Sequence, residues 1–336
     1  MLRKIDWESQ IGRRLRLRDL HVFHAVVQQR SMAKAAMQLG VSQPAVSEVI
    51  ADLEHALGVR LLDRSSQGVE PTMYGNALLK RSIAVFDELK QSVKDIEYLA
   101  DPTTGEIKVA CPLAIAFTVT PHIVDQFAEK YPGVVLHFDE VASASAARNF
   151  PELRDRKYDV VLARGSALQF EEREDDLNID LLFEDQLVIT AGPRSKWAHR
   201  RKIGLAELAN EPWIMQAPHT WNYQRLAEAF HARGLDMPRA NLITLSMPLI
   251  THVLAKGRSI AAIPRSVAHF NSLNVLPVDF PLRPWPVGIV TLRNRTLSPV
   301  VERFIACARE VARSMTGGRQ GRLPNRRNSF GARKRG

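Results

Sequence analysis

The sequence predicts an α/β protein with a helical N-terminal part, on three observations. Residues 17–72 break into short helical segments with glycine stops and end on a polar hairpin turn. Residues 73–102 carry one uninterrupted helical pattern. Residues 107–313 alternate strand-like and helix-like segments, as layered α/β folds do.

Leu20, Phe23, Val26 and Val27 fall at helical spacing, and that helix ends near Arg30. Ser31 is an N-cap for a second helix, Met32 to Leu39, which Gly40 stops. Ser42 caps a third helix and Pro44 sits in its first turn, where an amide hydrogen has no intrahelical partner. Val46, Val49, Ile50 and Leu53 form the buried stripe of that helix, and Gly58 ends it. Leu61, Leu62 and Val69 flank the polar turn Ser65-Ser66-Gln67-Gly68, which reads as a small hairpin.

Two short helices joined by a tight glycine-containing turn describe a helix-turn-helix. Ala36 is small where the helices cross, Gly40 occupies the turn, and Val46 supplies the apolar contact. The third helix is then a recognition helix with the base-reading set Gln43, Pro44, Ser47 and Glu48 near its start. Glutamine pairs bidentately with adenine, and serine bonds to several bases. The hairpin becomes a wing with Arg64 reaching toward phosphate or minor groove. Ser31, Ser42, Arg64, Ser65, Gln67 and Thr72 form the backbone and wing set. Taken singly, Ser31 and Ser42 also read as plain caps and Gln43 as a surface residue.

In the long helix, Phe86, Leu89, Val93, Ile96 and Ala100 step by three and four, the spacing of a coiled-coil seam. Thr72 caps its start and Pro102 lies past its end. The expectation is a homo-oligomer joined along this seam, since a reader of two half-sites needs a partner. An amphipathic helix packed on its own domain is the alternative.

Glu106 to Cys111, Val134 to Val141 and Tyr158 to Leu162 read as strands, with helices near 117–130 and 147–156 between them. This βαβαβ order predicts a parallel sheet with ligands at the carboxyl ends of its strands. A similar pattern starts at Leu187-Val188-Ile189-Thr190, with helices at 205–209, 222–233 and 247–256. The chain then returns to the first sheet at Val287 to Leu292, before a last helix at 298–313.

The net charge is +10, and seven of the basic residues lie between Arg319 and Arg335 with no acid among them. A basic, solvated and disordered tail over 314–336 is expected. Two isolated cysteines, Cys111 and Cys307, form neither a zinc pattern nor a disulfide framework and fit a reducing compartment, the cytoplasm. No signal peptide, no membrane span and no cofactor are expected. H-E-x-x-H, G-x-S-x-G and the P-loop are absent from the sequence, and the His21 and His24 pair lacks a third metal ligand nearby, so an enzyme is not expected. A redox switch at the two cysteines is a minor alternative.

The chain resembles the LysR-type transcriptional regulators. The residues that carry the resemblance run through Leu17-Arg18-Asp19-Leu20, Ser31-Met32-Ala33-Lys34-Ala35-Ala36, Gly40-Val41-Ser42-Gln43-Pro44-Ala45-Val46-Ser47, Leu57-Gly58-Val59-Arg60-Leu61-Leu62-Asp63-Arg64 and Pro71-Thr72 with Tyr74-Gly75. The resemblance implies a winged helix-turn-helix over 17–72 and a dimerising linker helix over 73–102. It also implies two Rossmann-like subdomains like those of a periplasmic binding protein, 107–174 with 284–313 and 175–283. The implied partners are double-stranded promoter DNA, a small-molecule effector, and the chain itself as dimer or tetramer. The implied effector-binding set is Ala114, Ser143, Thr220, Trp221, Met247 and Pro264, each of which also reads as plain loop or core. The family is often basic at positions 48 and 67, where this chain has Glu48 and Gln67, and often has Gly-x-Gly at Gly257-Arg258-Ser259. Arg258 is therefore an anion partner to consider. A transport solute-binding protein shares the sensor fold, but the N-terminal helix-turn-helix argues against it.

Overall fold

Left-handed caps divide the N-terminal part into short helices. In the computed structural model, residues 15–65, 68–141, 150–168, 176–279 and 283–316 are described. Helix α1 spans Leu17–Gln29, α2 Met32–Leu39 and α3 Gln43–Leu57. Their cap residues Arg30, Gly40 and Gly58 have φ of 49°, 66° and 68°. Val46, Ile50 and Leu53 are buried against Phe23, Val26 and Ala35, so the apolar stripe read from the sequence is the contact face.

Strand β1 (Leu62–Ser65) pairs antiparallel with β2 (Gly68–Pro71), placing Arg64 opposite Val69. Leu61 and Leu62 N–H donate to Glu54 Oε1 at 2.7 and 3.1 Å and Val69 N–H donates to the Arg30 carbonyl at 3.0 Å, which holds the hairpin to the helices before it. Thr72 N–H closes the base of the hairpin on the Leu61 carbonyl at 2.9 Å. Helix α4 (Met73–Ala100) follows. The Thr72 hydroxyl caps it, accepting Gly75 N–H at 3.1 Å and donating to the Arg60 carbonyl at 2.8 Å. A Cβ on Gly75 would stand 2.1 Å from the Leu61 carbonyl oxygen, so only glycine fits there.

The chain divides into two compact units, Met1–Lys94 and Asp95–Gly336. The second unit holds two five-stranded sheets among the described residues. The first sheet is built from β3 (Thr104–Cys111), β4 (Gly133–Glu140), β5 (Val160–Arg164), β6 (Leu177–Asp185) and β12 (Trp285–Leu292) in the order β4-β3-β5-β12-β6. Strand β3 is parallel to β4 and β5, whereas β12 is antiparallel to β5 and β6. Helices α5 (Leu113–Ala116), α6 (Val119–Lys130) and α7 (Pro151–Arg154) lie between β3 and β5 in sequence, and α11 (Pro299–Thr316) follows β12. Helices α6 and α11 bring Phe127 and Phe304 edge to face at 5.6 Å in one core.

The second sheet has the order β11-β7-β10-β8-β9, from β7 (Leu187–Ala191), β8 (Trp213–Met215), β9 (Ala240–Ile243), β10 (Ile260–Pro264) and β11 (Asn274–Val275). Helices α8 (Trp221–His231), α9 (Met247–Ala255) and α10 (Arg265–Phe270) are interleaved with those strands. Residues 205–208 form a 3₁₀ turn where a helix was expected. The fold is thus the expected helical head, long helix and pair of α/β subdomains.

Two boundaries differ from the sequence reading. Residues 177–185 were expected in the second subdomain, but β6 pairs along its length with β12 and belongs to the first sheet. The tail was expected from 314, but α11 continues to Thr316 because Val311 and Ala312 are still buried in the core. The rest of the tail, from 317 on, lies outside the described residues, as do Gln67 and Ser143.

Candidate functional site

The start of α3 is fixed by its cap. The Ser42 hydroxyl accepts Ala45 N–H at 3.4 Å, and the Ser31 hydroxyl accepts Lys34 N–H at 3.3 Å at the start of α2. Gln43, Pro44 and Glu48 are then exposed while Val46 and Ile50, on the opposite face, are buried. Ser47 is half-buried, and its hydroxyl donates to Met32 Sδ at 3.3 Å, which leaves the oxygen as an acceptor. Glu48 and Asp52 line a groove of about 610 Å³ that Arg16 and Arg18 also line. Arg16 and Arg18 thus share a groove with Glu48, the acidic departure noted at that position.

On the wing, Arg64 and Ser65 are exposed, and the Ser65 hydroxyl donates to the Gly68 carbonyl at 3.4 Å. Thr72, by contrast, uses its hydroxyl as both donor and acceptor within the fold. Its part is to position the wing and α4.

On α4, Leu89, Val93 and Ile96 are 44%, 54% and 67% exposed, an unusual placement for three aliphatic side chains at seam spacing. Phe86 departs from that row. It is half-buried, with its ring 6.0 Å edge-on from His21. His24 is held below the ordinary histidine range by burial and then by the charges of His21 and Lys90, so it favours the neutral ring.

In the second unit, the Thr220 hydroxyl accepts Tyr223 N–H at 3.4 Å and donates to the Ala217 carbonyl at 2.7 Å, capping α8. Trp221 follows and meets Trp285 edge-on at 4.7 Å between ring centroids. The guanidinium groups of Arg164 and Arg225 lie 5.6 and 5.5 Å from the Trp221 ring. Trp221 is therefore a joint between the two sheets, with Arg164 ending β5 and Trp285 opening β12. Met247 is buried in the core of the second sheet with Val188 and Ile250, and Pro264 is buried at the end of β10. Ala114 belongs to α5, its side chain outside the description. Arg258 is exposed in the turn before β10.

Sequence reasoning missed Arg164, Asp185, Asn222 and Trp285. The Asp185 carboxylate bridges the sheets: it accepts Gln186 N–H at 2.8 Å, Ser266 N–H at 3.2 Å and the Ser266 hydroxyl. Burial raises its pKa, and the Ser266 and Gln186 donors oppose that rise. Burial pulls the Arg164 guanidinium below its usual range, with the Asp185 charge opposing. No spacing in the sequence announces these partners, because β5, β6 and β12 meet through sheet register and α8 meets them through the Trp221 ring.

Both cysteines are buried. Burial pushes the Cys111 thiol up to about 11 and also raises Cys307. Among the described residues, no three His, Cys, Asp or Glu side chains gather as a metal-binding group, and no helix is long and apolar enough to cross a membrane.

Comparison with known proteins places these features in a family. Residues 17–76 match the family model "Bacterial regulatory helix-turn-helix protein, lysR family", and residues 100–313 match "LysR substrate binding domain". Similar proteins include the HTH-type transcriptional regulator TdcA of Escherichia coli K12, 28% identical over 260 residues, which span 77% of this chain and 76% of that one. Another is the HTH-type transcriptional regulator GbpR of Azospirillum brasilense, 24% identical over 309 residues, 89% of this chain and 87% of that one. The fold is similar to that of a full-length OxyR variant from Pseudomonas aeruginosa, with a TM-score of 0.56 at 20% identity, covering 89% of this chain and 95% of that one. A capped helix-turn-helix with a clamped wing, a long helix and a two-sheet unit therefore go together with both family matches: the chain belongs to the LysR family of DNA-binding transcriptional regulators.

Proposed function

We propose that the chain binds double-stranded promoter DNA as a homo-oligomer, reads bases with the start of α3, and responds to a small-molecule effector held between its two sheets. One observation carries the DNA reading. Gln43 and Pro44 stand exposed at the start of a helix whose other face is locked into the core. A major groove admits a helix in this way, and Gln43 then presents a donor and an acceptor to an adenine edge. Ser47 and Glu48 follow one turn later, and Arg64 with Ser65 on the wing meets the backbone. Ser31 and Ser42 offer phosphate the N–H groups of the two helix starts they cap.

The oligomer is supported by the exposed Leu89, Val93 and Ile96 row on α4. The effector site is supported by the joint at Trp221 and by the carboxyl ends of the parallel strands β3, β4 and β5, where open α/β sheets bind ligands. Thr220 and Trp221 open α8 at that joint, and Pro264 ends β10 of the second sheet.

A gel-shift titration of the full chain against its own upstream DNA, with random duplex as competitor, tests the proposal. The expected result is a shifted complex that resists at least about a thousandfold excess of random duplex. A complex competed equally by both DNAs contradicts it.

A further inference from the structure

Helix α3 carries three acids, Glu48, Asp52 and Glu54, and no lysine or arginine. Duplex DNA carries one negative charge for about every 1.7 Å of its axis, so a carboxylate brought against it is repelled unless it meets a donor. Glu54 is already spent on the Leu61 and Leu62 N–H groups. Glu48 and Asp52 are exposed, and neither carboxylate has a hydrogen bond or an ion pair with another described residue.

Their places on the helix separate the two. Glu48 stands two residues from Val46 and two from Ile50, both of them buried. At about 3.6 residues per turn that is just over half a turn either way, so Glu48 points almost straight away from the core. Pro44, one turn earlier, is exposed on the same face. Helices that read a major groove touch base edges with their N-terminal residues. Glu48 lies in the second turn of α3, whereas Asp52 lies a turn farther along on a side chain one carbon shorter. Glu48 is therefore the carboxylate placed to reach a base edge.

The groups on those edges are unequal partners for it. A carboxylate only accepts hydrogen bonds. In the major groove guanine offers two acceptors, N7 and O6, and thymine offers the O4 acceptor and a methyl group. Adenine has an amino donor, but its N7 acceptor stands beside it. Cytosine offers the N4 amino group and no acceptor of its own. Glu48 thus meets a donor alone at cytosine and an acceptor lone pair at each of the other three. Arg16 and Arg18 are exposed and line the same groove as Glu48. Two cations in that groove offset the repulsion between the carboxylate and the phosphates.

We infer that Glu48 selects cytosine at one position of each half-site: its carboxylate accepts the N4 amino hydrogen and repels the acceptor-bearing edges of guanine, thymine and adenine. This rests on the proposed base reading by α3 and names the base that one of its residues reads.

The test is selection of bound duplexes from a randomised library by the full chain and by its Glu48→Gln, Glu48→Arg and Asp52→Asn variants. Anisotropy on the enriched duplex, with each base pair exchanged in turn, then measures the preferences. The unaltered chain should prefer cytosine at one position by about tenfold over each other base. Glu48→Arg should move that preference to guanine, whose O6 and N7 match a guanidinium. Glu48→Gln should lose the cytosine preference, and both variants should keep the bases selected at every other position. Asp52→Asn should keep the cytosine. Three results overturn the inference: Glu48 variants that select the same base as the unaltered chain at every position, a change confined to positions where the unaltered chain prefers a base other than cytosine, or an Asp52→Asn chain that alone loses the cytosine. Uniformly tighter binding by Glu48→Gln with unchanged preferences is the first of these, and leaves Glu48 a repelling charge only. Glu48→Gln keeps the size of the side chain, so it decides even where Glu48→Arg fails to fold. The wider reading fails differently: an unaltered chain that enriches no sequence at all removes base reading by α3, and this inference with it.

Discussion

Glu54 Oε1 accepts the backbone N–H of Leu61 at 2.7 Å and that of Leu62 at 3.1 Å, tying the end of α3 to the start of the wing. Leu61 is 1% exposed, so its N–H has no water to fall back on. Glu54→Ala should cost roughly 1–3 kcal/mol and loosen the wing. Glu54→Gln keeps an acceptor oxygen and should cost less. Hydrogen exchange on the full chain checks this, because only the alanine variant should exchange quickly at Leu61 and Leu62. Unchanged exchange in Glu54→Ala would dismiss the clamp.

Gly75 and Gly40 should respond differently to alanine. At Gly40 a Cβ meets nothing within 4 Å and the cost is the left-handed backbone alone, φ +66°, about 1–2 kcal/mol. At Gly75 the Cβ would run into the Leu61 carbonyl that also accepts Thr72 N–H, so the helix start and the wing must part. Gly75→Ala should therefore destabilise more and weaken DNA binding more. Urea unfolding of both variants, with the same gel shift, measures the order.

Leu89→Glu places a charge in the middle of the exposed row on α4, between Val85 and Val93. If that row is the seam, the variant should sediment as a smaller species at concentrations where the unaltered chain is an oligomer. A sedimentation velocity run in which both proteins keep the same mass assigns the seam elsewhere.

The buried thiols argue against redox control. With Cys111 up at about 11, only about one molecule in a thousand carries its thiolate at pH 8. Alkylation by iodoacetamide should be slower by about a hundredfold or more in the folded chain than in urea, where the thiol pKa is about 8.5. The folded pKa lies above the unfolded one, so the associated stability is present below about pH 8.5 and is lost as pH rises toward 11. Peroxide treatment should leave DNA binding unchanged, and a peroxide response that Cys111→Ser removes would reverse this reading.

Local chemistry was legible in the sequence. Ser31, Ser42, Gly40 and Gly58 each do within a few residues what their side chains or lack of one dictate, and Val46, Ile50 and Leu53 turn inward as their spacing demands. What depends on register was not. Residues 177–185 fell within the range expected for the second subdomain because nothing local says which sheet they join; only the pairing of β6 with β12, about a hundred residues later, assigns them. The Glu54 clamp was hidden because a glutamate in the last turn of a helix reads as a solvated charge. Arg164, Asn222 and Trp285 were hidden for the same reason as β6. Met247, at an expected binding loop, is buried in the core of the second sheet, the plain reading the sequence also offered.

In the proposed function the start of α3 reads bases. Fluorescence anisotropy of Gln43→Ala on the specific upstream duplex and on a random duplex, over a range of salt, measures that role. The expected result is a loss of roughly 1–3 kcal/mol on the specific duplex, no change on the random one, and an unchanged salt slope. Equal losses on both duplexes would contradict it and make Gln43 a residue that touches only the backbone.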